Sequence, residues 1–129
     1  SAIATKSIKE IKYHLRHSSN WVIRLGDGTS LSKEKIQTSL NNIWKFTGEF
    51  FEMDELDKKM VKNNIGVDVY KLKNEWDNII NTTFEKAKIQ RPDDCVMITG
   101  SKNGVHTELL EKILSKMQYL PRAYPDAKW

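Results

Sequence analysis

Apolar or small side chains stand at Ala4, Ile8, Ile11, Leu15, Ser18, Val22 and Leu25. This alternating four-three spacing places them on one stripe of a long helix. Such a helix is not stable alone in water; its stripe has to be laid against other helices, which makes the chain a bundle-former. The run stops at Gly26-Asp27-Gly28. A glycine just past the last periodic residue is predicted to take the left-handed C′ conformation, and the second glycine lets the chain turn. Thr29, Ser30 and Ser32 are candidate N-caps for a second helix. Its stripe, Ile36, Leu40, Ile43/Trp44, Thr47 and Phe50/Phe51, extends over about five turns. The short connection predicts an antiparallel αα-hairpin, with the large aromatics of the second helix filling space against the first.

Residues 52–66 carry only a weak amphipathic signal around Met53, Leu56 and Met60, compatible with a short helix or an irregular connection. Asp68 is a good N-cap for a further helix with Leu72, Trp76, Ile79/Ile80, Thr83/Phe84 and Ala87 at the 3.6-residue period. Turn formers at Arg91-Pro92-Asp93-Asp94 and at 100–104 isolate Val96-Met97-Ile98, an apolar island expected to pack without having to be a strand. A last helix is predicted from about His106 to Leu120, ended or kinked by Pro121, with an extended or irregular tail from Arg122 to Trp129. No segment alternates with period two, so the predicted fold class is all-α.

At 129 residues, 39% hydrophobic and 29% charged, the chain has the composition of one globular helical domain. The lone Cys95 cannot form an internal disulfide, and no apolar run approaches the roughly 20 residues of a membrane span. A reduced, cytoplasmic setting without a membrane partner is expected. The start at Ser1-Ala2-Ile3, without methionine, is compatible with a tag remnant, a processed product or an internal fragment of something longer. The net charge of +4 has both signs interspersed, and no basic block exceeds Lys58-Lys59. Nucleic acid is therefore not an expected partner.

Candidate chemistry is sparse. A di-iron carboxylate bundle needs Glu-x-x-His, because residues three apart share a face and can ligate one metal. Here Glu10 and His14 are four apart, the residue three before His14 is the apolar Ile11, and His17 has His14 in that place. No metal ligands and no catalytic residues are assigned. His106-Thr107-Glu108 has the His-x-Glu of zinc deaminases but no Pro-Cys-x-x-Cys follows it. The glycines of 26–28 lie at a helix C-terminus, the wrong end for a phosphate, so Arg24 and Asp27 are read as a pair across a structural turn in preference to an anchor for a partner. The loop 100–104 offers a lysine and free amides before a helix, too short a pattern to specify an anion site.

The stretch Tyr13-His14-Leu15-Arg16-His17-Ser18-Ser19-Asn20-Trp21-Val22-Ile23-Arg24-Leu25-Gly26-Asp27-Gly28-Thr29 resembles the PaaC family, a component of the multisubunit phenylacetyl-CoA epoxidase. The likeness continues at Leu40, Trp44, Thr47-Gly48-Glu49, Phe51 and Trp76, at Gly100 and 104–108, and through 117–125. It implies the C-terminal part of a ferritin-like, non-catalytic structural subunit. Its implied partner is a PaaA-type catalytic subunit that carries the iron, and other epoxidase subunits could also bind. On this reading the chain has no cofactor of its own. An apolar Ile11 fits a helix that has lost its ligands, because an uncompensated buried carboxylate is costly. Without the remaining helices the stripe from Ala4 to Leu25 would be open, so self-association is expected. The contact or turn residues assigned are Trp21, Arg24, Gly26, Asp27, Gly28 and Trp44, with His106, Arg122 and Tyr124 near the C-terminus. The alternative is a ferritin-like metal oxidase whose other ligands lie outside the chain, with Glu10, His14 and Glu49 as the residues to test.

Overall fold

A computed structural model describes residues 2–128; Ser1 and Trp129, the ends of the predicted start and tail, lie outside the described residues. The chain divides into two compact units, Ser1–Ile98 and Thr99–Trp129. Among the described residues there are helices and no strands, an all-α architecture consistent with a ferritin-like helical fold.

In the first unit α1 spans Ala2–Gly26, α2 Ser30–Ile43, α3 Glu55–Lys62 and α4 Lys73–Ala87. The α1 stripe forms a helix as the spacing predicts, but its end is made differently. Neither Gly26 nor Gly28 has a positive φ. Gly26 is the buried last residue of α1, placed against Ala87 of α4 and Ile89, where a Cβ would stand 2.8 Å from the Ala87 Cβ. The glycine is required by close helix approach, not by left-handed backbone. Thr29 is the N-cap of α2, its Oγ1 accepting from the Ser32 amide at 3.2 Å, while Ser32 Oγ donates back to the Leu25 carbonyl at 2.8 Å. This clasp turns α2 back onto α1.

The predicted five-turn second helix changes form at Trp44. From Trp44 to Phe51 the backbone is a 3₁₀ segment. Thr47 Oγ1 donates to the Trp44 carbonyl at 2.8 Å, and the Ile98 amide donates to the Lys45 carbonyl at 2.8 Å. The tighter coil brings its aromatics onto α4: Trp44 meets Trp76 and Phe84, at ring separations of 5.7 and 5.9 Å, and Phe51 meets Trp76 at 5.3 Å. The undecided segment contains α3, started by a capping box in which Asp54 and Asp57 each accept the other's amide. Asp68 caps, but it caps a short 3₁₀ turn, Val69–Leu72, rather than α4 itself.

The core of this unit is small. Trp44, Phe84, Ala87 and Ile89 are buried, with Val22, Ile23, Ile36, Leu40, Trp76, Ile80 and Met97 packed around them. Lys88, in the left-handed conformation at φ 55°, ends α4 and lets the Ile89 amide return to the Phe84 carbonyl. Gln37 of α2 then holds the segment leaving α4 by exchanging two hydrogen bonds with the backbone of Gln90. Of the apolar island, Met97 packs on the core and Val96 is exposed.

In the second unit α5 spans Glu108–Met117 and α6 Tyr119–Ala123. Pro121 does not end the last helix; the break falls at Gln118, before it, and Pro121 lies inside α6. A proline ring clashes with the carbonyl four residues back and has no amide to donate, whereas in the first turn of a new helix its missing N–H costs nothing. Arg122 and Ala123 of the predicted irregular tail are therefore helical.

Candidate functional site

Charged and aromatic side chains converge in the first unit around Arg91. The turn after α4 brings its guanidinium over the Trp44 ring at 4.9 Å and the Trp76 ring at 5.9 Å. Nη2 of Arg91 bonds Asp77 Oδ1 at 2.7 Å, Nη1 bonds Asn81 Oδ1 at 2.8 Å, and Asp94 Oδ2 stands at 3.5 Å. Trp44 Nε1 donates to the other oxygen of Asp94 at 2.9 Å, and Lys73 Nζ donates to Asp77 Oδ2 at 2.8 Å. Asp77 and Asn81 are four apart on α4 and so face the same way, which gives one planar cation two acceptors. Beside this network lies a recess of about 230 Å³ walled by Phe51, Tyr70, Trp76 and Met97.

The hydrogen bond from Lys73, joined by that from Arg91, holds the Asp77 carboxyl below the usual carboxylate range against the opposing effect of burial. A depressed folded-state value means that the carboxylate stabilises the fold above the unfolded carboxyl's titration and loses that contribution as pH falls through the folded one. Asp77→Asn is expected to cost about 1–3 kcal/mol at neutral pH, since Arg91 keeps its half-buried position with a weaker acceptor. Below about pH 4 the difference from wild type should narrow. Urea unfolding at both pH values checks this, and an equal gap at both would show that the carboxylate's charge contributes nothing.

Each ionic group here is already engaged by another, so the arrangement is suited to fixing the loop 90–97 onto the bundle and to presenting an apolar recess. It holds no base and nucleophile in hydrogen-bond contact of the kind acid–base or covalent chemistry requires. Among the described residues no three His, Cys, Asp or Glu side chains come together in a way that could hold a metal ion. Glu10, His14 and Glu49 are accordingly not united in one ligand set; Glu10 and His14 lie on the exposed part of α1 and Glu49 in the 3₁₀ segment.

The residues singled out from sequence fall in different places. Trp44 is interior, only 3% exposed. Arg24 does not pair with Asp27 across the turn: it lies over the Trp21 ring at 5.4 Å, and Asp27 binds Lys88 at 2.6 Å instead. Gly26 is buried and Gly28 lies in the turn, where a Cβ would meet the Arg24 carbonyl and Ser32 Oγ at 2.8 Å. In the second unit His106 and Arg122 line one open recess together with Glu108 and Glu111, and Tyr124 is exposed. Arg91, Asp77, Asn81 and Asp94 were missed by sequence reasoning. The available signal was the Asp77/Asn81 spacing beside Trp76, but its partner comes from a loop fourteen residues on from Asp77.

The sequence profile of the phenylacetic acid catabolic protein family matches residues 1–129. The chain is 40% identical over 129 residues to one of the subunits of the 1,2-phenylacetyl-CoA epoxidase of Escherichia coli (strain K12), an alignment covering 100% of this chain and 52% of that protein. It thus spans about half the length of that curated relative.

Proposed function

The chain belongs to the phenylacetic acid catabolic protein family, and from that premise we propose that it is the C-terminal part of a structural subunit of a phenylacetyl-CoA epoxidase complex. Its role is to stabilise and orient an iron-binding catalytic subunit of the PaaA type, with other subunits of the complex as further partners, and it performs no chemistry itself. The observation that carries this reading is the 40% identity along the whole chain to an epoxidase subunit. The Arg91 network supports it from the physical side, because those charges hold one another in place instead of presenting free reactive groups.

The test is co-expression of this chain, and of an N-terminally extended form, with the catalytic subunit, followed by size-exclusion chromatography with light scattering. A hetero-complex of defined mass is expected, with iron in the catalytic subunit. Iron bound stoichiometrically by this chain alone would overturn the non-catalytic role. Failure of the extended form to bind at micromolar concentration would overturn the partnership.

Self-association of the isolated chain belongs to the same proposal. Ile8, Ile11 and Leu15 are 47%, 62% and 46% exposed, so the stripe that defines α1 is open along its N-terminal part, while Val22 packs on the core. An open apolar face of this length draws a second copy when its natural cover is missing. Light scattering should therefore give a mass above that of the monomer, with strong binding of a hydrophobic dye, and both should fall in Ile8→Lys/Ile11→Lys. A dye-silent monomer contradicts the expectation. No helix among the described residues is long and apolar enough to cross a membrane.

A further inference from the structure

The apolar stripe is one face of α1; the opposite face is built differently. Tyr13, His17 and Trp21 follow at four-residue steps, with Arg24 three beyond, so they form one ridge along the helix. The rings touch in sequence: Tyr13 stacks on His17 at 5.8 Å, His17 meets Trp21 edge-on at 6.4 Å, and Arg24 caps Trp21 at 5.4 Å. Arg16 lies over Tyr13 at 5.8 Å. Tyr13 and Trp21 remain 53% and 47% exposed. At 100° per residue this ridge points away from Val22 and Gly26, the positions by which α1 sits on the core. The packing of α1 on α2 and α4 does not use it.

The helix that carries the ridge is also where the chain keeps its charge, and Lys6 and Arg24 lie on the ridge itself. Within α1 there are five basic residues, Lys6, Lys9, Lys12, Arg16 and Arg24, against the single acid Glu10. Five less one is +4, the formal net charge of the whole sequence, so the rest of the chain is balanced and the excess is local. The two signs are interspersed over the rest of the chain but not on α1. None of the ion pairs among the described residues takes a basic side chain from α1.

Resting on the subunit reading above, we propose that the Tyr13-His17-Trp21-Arg24 ridge of α1 is the docking face for an acidic surface of the iron-binding catalytic subunit. Trp, Tyr and Arg are the side chains that anchor protein interfaces, and rings already stacked on one another lose little freedom on binding. The concentrated positive charge selects an acidic partner and speeds its approach. A second copy brings the same positive ridge and is repelled. A lipid surface would take the apolar stripe; the aromatics, with Lys6 and Arg24 among them, lie on the side of α1 away from that stripe.

The experiment measures the affinity of this chain for the purified catalytic subunit by titration calorimetry at about 50 and about 200 mM salt. Arg16→Glu/Arg24→Glu and Trp21→Ala are compared with Lys59→Glu/Lys62→Glu, an equal charge change on α3, after circular dichroism has shown helix content unchanged. The ridge variants should bind about 100-fold and about 10-fold more weakly, the control within about 3-fold, and wild type should lose about 10-fold at the higher salt. If wild type binds and the ridge variants match it, or the control falls equally, the docking face is wrong while the subunit reading stands. If neither wild type nor its N-terminally extended form binds, the partnership itself has failed and the docking face with it. Binding that depends on the ridge only for anionic phosphatidylglycerol vesicles or duplex DNA, and not for the catalytic subunit, also overturns the proposal.

Discussion

Trp44→Ala is expected to destabilise the first unit by about 3–5 kcal/mol, the range for removing a buried large aromatic. The residue is 3% exposed and stands at the meeting point of α2, α4 and the loop after α4. Three kinds of interaction end on it: ring packing with Trp76 and Phe84, the Arg91 guanidinium over its face, and the hydrogen bond from Nε1 to Asp94. Only four hydrophobic residues of the described chain are buried, so neighbours have little apolar volume with which to close the cavity. Against a net stability of about 5–15 kcal/mol, the loss removes a large share. Trp44→Phe keeps most of the packing and gives up the N–H donor, so about 1–2 kcal/mol is expected there. Urea unfolding of both variants checks the order; equal losses would mean that the hydrogen bond, not the packing, dominates.

The second large effect comes from adding a single carbon. Gly26→Ala gains about 1 kcal/mol of helix propensity, because alanine is the better helix former. The new Cβ, however, would run into the Ala87 carbonyl oxygen and stand 2.8 Å from the Ala87 Cβ and 3.0 Å from Ile89 Cγ2. Two of these neighbours are rigid parts of α4, so relief requires moving one helix off the other. Overpacking of this kind costs about 3 kcal/mol, which leaves a net loss of about 2 kcal/mol, and a larger one for Gly26→Val. Asn20→Ala, on the exposed side of the same helix, should be neutral or slightly stabilising. Thermal unfolding of the three variants decides it. A stabilised Gly26→Ala would show that α1 and α4 are not in contact at this point.

Much of the fold was readable because helices report themselves through neighbours along the chain. The four-three stripe marked α1, Thr29 and Asp68 were recognisable as caps, and the absence of period-two alternation excluded a sheet. The same local logic removed Glu-x-x-His from consideration. The concentration of charge on α1 is equally local, since the five basic residues and Glu10 all lie within the helix predicted from Ala4 to Leu25. The left-handed glycine at 26 and the continuous second helix were local expectations that distant contacts displaced, while the break at Gln118 is itself local, set by the ring of Pro121. At Trp44 the gain from burying one indole against α4 outweighs the preference of the segment to remain α-helical, and the coil tightens to deliver it.

What the sequence determined by itself, then, is that the chain is all-α, where α1 runs, that Thr29 caps α2, and that no residues three apart supply an iron-binding pair on α1. Those properties depend on side chains within about one turn of each other, and such distances are written directly in residue order. Only the tertiary structure decided that Gly26 serves contact with Ala87, that Arg91 binds Asp77, Asn81 and the face of Trp44, and that the ridge of α1 faces away from the core. Each of these joins groups from separate elements, and their meeting depends on how the helices pack, which no local spacing encodes.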